Sequence, residues 1–477
     1  MIGLARLAAP IACGGLLIFL LARTRTNRIA GLCYAGVGVA LLGVALKPVG
    51  YPKLVVAGVG ALALGWAISE LFRRRPWAVA YLSLALIPVR ISVIGHSLLV
   101  PLYLVAAGAG VNLLRELIAG DVRGREFGRA TKPFALYLFW IGLSMTWTLD
   151  VRTGIINLVA FYIPLAILAV SIARLPWDEF RLKLLYWELA VMALVFSVVG
   201  LYQYETRTLF ENPKLHISNS YASLFRVNSV FYDPSIYGRF LVVALIPTAV
   251  LITRAKSVRD VLLGVALAVV AWFGLLVSFS QSSFAALFVA AFCLGAFVWR
   301  WKAAAVIVIA VVLLAVGALA EPRLMHTLRH HGVSEIDKLS SGRGSLIFNG
   351  LRLAKRHPVI GVGIGSFAEA YSHLKHRSIN HSASHNTPVT VAAEGGVIGL
   401  ALFLWLVIAF GLAALRRVGP TLAGELALAA GLVLIAIFFH SNAYNDFFED
   451  PTTWIVFGLI GLSVTRRRAE ASAMIEP

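Results

Sequence analysis

The chain has few of the residues that stabilise a soluble or secreted protein. Only 14% of its 477 residues are charged and only three are cysteines, whereas 59% are hydrophobic and the mean hydropathy is +0.84. No soluble core needs that much apolar surface, so a soluble globular protein is excluded. The cysteines lie inside apolar runs, at Cys13, Cys33 and Cys293. We therefore expect buried thiols, with no disulfide and no cysteine-bound metal.

Acidic residues are also scarce, with 23 Asp and Glu against 42 Lys and Arg, which gives a net charge of +19. Such an excess can indicate a nucleic-acid-binding protein. Here the basic residues recur in short connections between apolar runs, which is the pattern that membrane topology produces. We expect a lipid membrane as the partner, and no nucleic acid.

Apolar runs of membrane-spanning length recur from Leu4 to Val464. Each is long enough for a helix to cross about 30 Å of hydrocarbon. The pattern predicts an all-α polytopic membrane protein of about 12–15 transmembrane helices, fifteen by direct reading, including one over 77–95 and one over 303–320. We divide it into additional N-terminal helices (1–75), a membrane core (76–465) and a cytoplasmic tail (466–477).

Along the chain, short basic connections alternate with less basic ones between successive predicted spans. The basic connections therefore all lie on the same side of the membrane. By the positive-inside rule this face is cytoplasmic, so the C-terminus lies inside and, with fifteen spans, the N-terminus outside. Two long polar segments then lie on the outer face, at 205–236 and 321–388. Long loops often carry function, so the functional site is expected there, on the periplasmic or extracellular side of the cytoplasmic membrane.

The larger outer loop is basic and rich in histidine. Residues 321–387 hold nine Lys and Arg against four Asp and Glu, and eight of the chain's eleven histidines. The charge indicates an anionic ligand. The histidines could bind zinc, but no acidic or cysteine ligand motif accompanies them, so we expect ordinary polar loop residues and no metal.

The most specific pattern ends this loop. His385-Asn386, nine residues and Gly396-Val397-Ile398-Gly399 fit H-[NSQ]-x9-G-x2-[GTY]. The segment before it reads SGRGSLIFNGLRLAKRHPVIGVGIGSFAEAY from residue 341, and the motif itself continues through AAEGG. These residues resemble the O-antigen ligase and polymerase family. Two further segments are family-like, RVNSVFYDPSIYG at 226–238 and HSNAYNDFFEDPTTW at 440–454.

The resemblance implies a helical membrane fold of the glycosyltransferase C type, without cofactor or metal. It also implies transfer of a glycan from a polyprenyl (undecaprenyl) diphosphate carrier to an acceptor hydroxyl, as in cell-envelope polysaccharide or lipopolysaccharide biosynthesis. The acceptor stays open among a glycan, a lipid-anchored sugar and a protein hydroxyl.

A lipid diphosphate leaving group gains negative charge as the glycosidic bond breaks, and fixed guanidinium groups stabilise that charge. Arg226 and Arg343 stand at family-matching positions of the two outer loops, so we assign both to the diphosphate. Arg239 and Arg377 are weaker candidates. The alternative for each is an exposed or interfacial arginine without a catalytic role.

The acceptor hydroxyl must lose a proton, and a histidine side chain ordinarily titrates near neutrality, so His385 is the candidate base. Asn386 is a weaker candidate because it suits capping of the following helix. Glu394 falls inside an apolar helix, where an ionisable group usually faces a partner or a cavity. Structural pairing is favoured for Glu394 over catalysis.

Gly361 and Gly363 belong to a glycine-rich segment without the lysine and the strand–helix alternation of a nucleotide site, so nucleotide binding is rejected. They either bring backbone close to a lipid phosphate or form a tight turn. A serine turn at 280–283 has no base nearby in sequence for a nucleophile. Asp233 is expected to cap a helix or to pair with Arg226.

Two other functions compete with a ligase. A polymerase would use two lipid-linked copies of one glycan. The lengths of the outer loops favour neither a polymerase nor a ligase. A lipid-linked glycan transporter would need alternating access, yet the sequence has no paired inverted repeat and its polar residues concentrate on one face. We therefore prefer a ligase.

Overall fold

The computed structural model describes the chain except for residues 47–50, 94–95, 122, 211–212, 222–223, 299–342, 376–382 and 474–477. The first seven helices are α1 (Ile2–Leu21), α2 (Arg25–Leu46), α3 (Tyr51–Arg74), α4 (Ala78–Ala85), α5 (Val100–Ile118), α6 (Thr131–Ser144) and α7 (Val151–Ala173). The next five are α8 (Glu179–Thr206), α9 (Pro213–Tyr221), α10 (Pro234–Arg254), α11 (Val258–Ser278) and α12 (Gln281–Val298). The last five are α13 (Arg343–Arg356), α14 (Phe367–Lys375), α15 (Thr387–Leu415), α16 (Leu422–His440) and α17 (Pro451–Ala473).

Ten helices in the described part of the chain are long and apolar enough to cross a membrane: α1, α2, α5, α7, α8, α10, α11, α12, α15 and α16. The predicted polytopic helical membrane protein is thereby confirmed. The predicted number of 12–15 spans stays a prediction, because the apolar run 303–320 lies outside the described residues.

One predicted span is wrong. Instead of a helix over 77–95, α4 ends at Ala85, and two short strands follow, β1 (Ile91–Val93) and β2 (His96–Leu98). They pair antiparallel, with Ile91 opposite Leu98. Pro88 lacks an amide hydrogen and disfavours helix continuation, and the β-branched residues after it suit a strand.

The N-terminal helices pack closely onto the rest of the protein. Gly15 of α1 and Gly31 of α2 approach so closely that a Cβ on either would overlap the backbone of the other helix. On α6, a Cβ at Gly142 would overlap the Cys13 side chain. Small residues at helix contacts are the usual means by which membrane helices approach each other. The boundary drawn at residue 75 stays a prediction.

Basic connections meet at one end of the helices, which we call the basic face. There Glu126 is 2% exposed and binds Arg28 at 2.5 Å and Arg174 at 3.0 Å. This contact joins the first turn of α2 to the connection before α6, as the charge pattern predicted. Because α8 begins at Glu179, soon after Arg174, its first turn lies at the same end.

Candidate active site

Four connections meet at the opposite end of the helices, which we call the site face. Arg226 Nε donates to the Ser278 carbonyl at 3.3 Å, and Ser282 Oγ lies 3.0 Å from His440 Nε2. The Thr387 amide donates to the Ser441 carbonyl at 2.9 Å. These bonds bring together three segments that sequence reasoning singled out separately: 226–238, the HN motif and 440–454.

His385 stands immediately before α15, half-buried, with a backbone φ of +59°. This left-handed conformation is uncommon for a residue other than glycine. The His385 ring centroid lies 6.5 Å from that of Tyr444. The conformation places His385 outside the helix that carries the rest of its motif.

Asn386 fixes this geometry from the next position. Its Oδ1 accepts the Val389 amide at 3.0 Å, which confirms the predicted helix cap, and its Nδ2 donates to the Asn442 carbonyl at 3.0 Å. One amide side chain therefore starts α15 and ties it to the connection after α16. Both bonds hold the backbone beside His385.

Tyr444 lies between two histidines. Its ring centroid is 5.9 Å from that of His440, in addition to the 6.5 Å contact with His385. Burial, followed by the nearby charges of Asp233 and Asp446, raises the pKa of the Tyr444 phenol well above its usual value of 10. The phenol therefore stays neutral and keeps its proton at physiological pH.

Arg226 is half-buried, and its backbone is held on both sides by Asn219. The Arg226 amide donates to Asn219 Oδ1 at 3.2 Å, and Asn219 Nδ2 donates to the Arg226 carbonyl at 2.9 Å. Asp233 caps α10 by accepting the Ser235 amide at 2.7 Å, which confirms its predicted capping role.

Arg239, a weaker diphosphate candidate, lies in a buried ion cluster. It is 3% exposed and contacts Asp446, and its second nitrogen lies 2.6 Å from Asp450. The two aspartates are 7% and 5% exposed, so the acidic patch seen in the sequence is largely internal. With two carboxylate partners, Arg239 is better explained as a positioning residue than as a ligand of diphosphate.

The glycine-rich segment pairs with a kink in α15. Gly396 has φ +66° and ψ −166°, which interrupts the helix. The freed carbonyls of Ala393 and Glu394 accept the amides of Val362 and Gly363 at 3.0 and 2.9 Å. The Val397 amide donates to the Pro358 carbonyl at 2.8 Å. The kink therefore loses few hydrogen bonds, as membrane burial requires.

Close packing explains the glycines in this pairing. Gly361 and Gly363 have φ of +69° and +93°, and a Cβ on them would overlap Glu394 and Thr148 respectively. This supports the predicted tight turn over an approach to phosphate. Half-buried Glu394 accepts the Phe367 amide at 3.1 Å, so the structural pairing predicted for its carboxylate is with backbone rather than with arginine or His385.

Two of the predicted arginines have no described side chain. Arg343 is the first residue of α13, but its side chain lies outside the described part, and so does the whole of Arg377. Within the described part, no group of three His, Cys, Asp or Glu could hold a metal. Most of the histidine-rich loop lies elsewhere, so the expectation of no metal stays a prediction.

Sequence reasoning missed His440 and Tyr444 as members of the site. It found no base for the serine turn, yet His440 is fully buried with its Nε2 against Ser282. The available signal was the family-like segment 440–454, in which these residues stand beside the acidic ones.

Residues 266–404 match the family model described as O-antigen ligase. The match includes the serine turn and the HN motif, and it leaves Arg226 and the 440–454 segment outside. Comparison with curated proteins finds no match. This match supports a membrane protein of the kind that processes glycans. Over residues 266–404 the chain is similar to the O-antigen ligase family, which confirms the resemblance predicted from its motifs.

Proposed function

We propose that the protein transfers a glycan from a polyprenyl diphosphate to an acceptor hydroxyl at its site face. The observation that carries the proposal is the convergence of Arg226 and His385 through the Ser278–Ser282 turn and His440–Tyr444. The site face thereby offers a fixed cation, Arg226, and a group that can accept a proton, His385.

In the proposed reaction the acceptor oxygen attacks the anomeric carbon of the donor glycan. The bond between that carbon and the phosphate oxygen breaks, and polyprenyl diphosphate leaves with the bonding electrons. Arg226, with Arg343 in the family-like segment that starts at residue 341, stabilises the charge that grows on the diphosphate. No oxidant, reductant or further reactant is required.

His385 accepts the proton that the acceptor hydroxyl loses. A neutral imidazole can do this near pH 7, and the resulting imidazolium returns its proton to solvent or to the diphosphate. The bonds of Asn386 support this role, because they fix the backbone of the histidine without using its ring. Tyr444, neutral and close by, orients the imidazole.

We favour a ligase over a polymerase, in which case the acceptor differs from the donor. The test is transfer by the purified protein in nanodiscs, with a polyprenyl-diphosphate glycan, candidate acceptors, and chelator in parallel. One glycan block on a distinct acceptor, made equally with chelator, is the expected result.

A ladder of products made from the donor alone would replace the ligase with a polymerase. Absence of product with every acceptor, together with movement of the donor between leaflets of reconstituted vesicles, would replace the enzyme with a transporter.

A further inference from the structure

A large cavity of the protein lies mainly between membrane helices, and only its inner end, at Thr452, reaches the 440–454 segment. It is a groove of about 590 Å³ between α8, α10, α11, α16 and α17, and its walls are mainly Leu, Val, Ile and Ala side chains. We call it the apolar groove. The proposed glycan transfer uses none of its residues.

The groove opens at the basic face. Charged side chains line it at the last residue of α10 and in the first turns of α8, α11 and α16: Arg254, Lys183, Asp260 and Glu425, with Lys256 between α10 and α11. From Arg254 the lining continues along α10 to Val243. At 1.5 Å per residue this is about 16 Å, roughly half of the hydrocarbon thickness. The groove therefore has the depth of one membrane leaflet.

The sequence explains why the helices leave this space. Pro247 lies inside α10 and lines the groove, and a proline there cannot donate the helical hydrogen bond to the Val243 carbonyl. Ala429 and Ala430 of α16 face the same space with small side chains. A proline opposite small side chains leaves less side-chain volume to fill the space between the two helices.

The mouth of the groove carries three cations that are suited to an anion. In the described part of the chain, no carboxylate lies within ion-pair distance of Lys183, Arg254 or Lys256. All three are nevertheless close enough to act on the charge of Glu425. Asp260 and Glu425 each stand in the first turn of a helix, where the helix dipole already compensates a negative charge.

We infer that the apolar groove binds one anionic glycerophospholipid from the leaflet at the basic face. Its acyl chain occupies the apolar wall, and its phosphate lies among Lys183, Arg254 and Lys256. Basic pockets between membrane helices are known to select anionic head groups in this way. A polyprenyl diphosphate fits less well, since its charged group would have to lie at the opposite face to react.

The test uses the purified full-length protein, delipidated in detergent and titrated with phosphatidylglycerol or phosphatidylcholine of identical acyl chains, with native mass spectrometry as the readout. Phosphatidylglycerol is expected to bind at least about tenfold more tightly. The variant K183Q/R254Q/K256Q should lose this preference. The matched control R125Q/R129Q/K132Q, which removes three charges at the basic face outside the groove, should keep it.

A second variant separates the contribution of the apolar wall to lipid binding from that of the three cations. Ala429→Phe fills the apolar wall and should weaken both lipids while leaving the three cations in place. Equal binding of the two lipids by the unaltered protein would overturn the inference. So would unchanged phosphatidylglycerol binding in both groove variants, or tighter binding of a polyprenyl phosphate than of phosphatidylglycerol by the delipidated protein.

Discussion

Two neighbouring regions of the site face hold their charged side chains in different ways. Arg226 and His385 are half-buried, and hydrogen bonds fix their backbones through Asn219 and Asn386. Arg239, by contrast, is buried with its guanidinium against two aspartates. In the first arrangement the side chains stay partly exposed to a substrate, although Arg226 Nε also donates to the Ser278 carbonyl. In the second, the two aspartates neutralise the charge of the arginine inside the protein. Arginine at a family-like position therefore does not by itself identify a ligand of diphosphate.

The difference is sharpest at His385, where substitution should remove activity and leave stability unchanged. We expect His385→Asn to lower kcat by about 10²–10⁴-fold, the range for loss of a general base. Asparagine tolerates the left-handed backbone, so the variant tests chemistry rather than strain. The measurement is the initial rate of glycan transfer by the purified variant.

His373→Asn is the control for this prediction, because His373 is exposed and its Nε2 lies 3.0 Å from Glu369. Its rate should match that of the unaltered protein. A fully active His385→Asn would exclude the proposed base.

Arg239→Met should show the opposite behaviour. Removing one partner of a buried ion pair costs about 3–5 kcal/mol, because the remaining charges stay buried without compensation. Thermal unfolding in detergent should show this loss before any activity is measured. The triple variant R239M/D446N/D450N should recover most of it, and failure to recover would contradict a role limited to charge compensation.

The same substitution at the other arginine completes the comparison. Arg226→Met should lower kcat/KM by about 10²-fold through loss of a charge-assisted contact in the transition state, with a smaller fall in melting temperature than for Arg239→Met. Arg226→Lys should restore part of the activity, since it keeps the charge but not the guanidinium fork. A large fall in melting temperature for Arg226→Met would mean that the two arginines are held alike.

Local and membrane-scale features of this arrangement could be predicted from sequence. Hydropathy indicates most spans because the membrane demands long apolar helices, and Asn386 was expected to cap α15 because its side chain suits that position. The failure at 77–95 came from Pro88, whose effect on the backbone outweighed the apolar character of the run.

Contacts between distant segments could not be predicted from one sequence. Ser282 and His440 are 158 residues apart, and their contact depends on how α11, α12 and α16 pack. The glycine segment and the EGG motif were both recognised as family-like, yet periodicity gave no sign that their backbones pair. Burial of Arg239 was hidden for the same reason, since its aspartates lie more than 200 residues later.

The smallest expected effect concerns the backbone pairing between the glycine-rich segment and the kink in α15. Gly396→Ala should destabilise the protein by about 1–3 kcal/mol, because φ +66° with ψ −166° is a conformation that essentially only glycine adopts. A Cβ there would also overlap the Val359 carbonyl. Gly411→Ala lies in the same helix with no atom near its Cβ position, so it should change stability by less than about 1 kcal/mol.

Paired thermal unfolding of the Gly396→Ala and Gly411→Ala variants separates the effect of the kink from a general effect of alanine in α15. Equal melting temperatures would mean that the kink straightens at little cost and does not hold the Glu394 carboxylate in place.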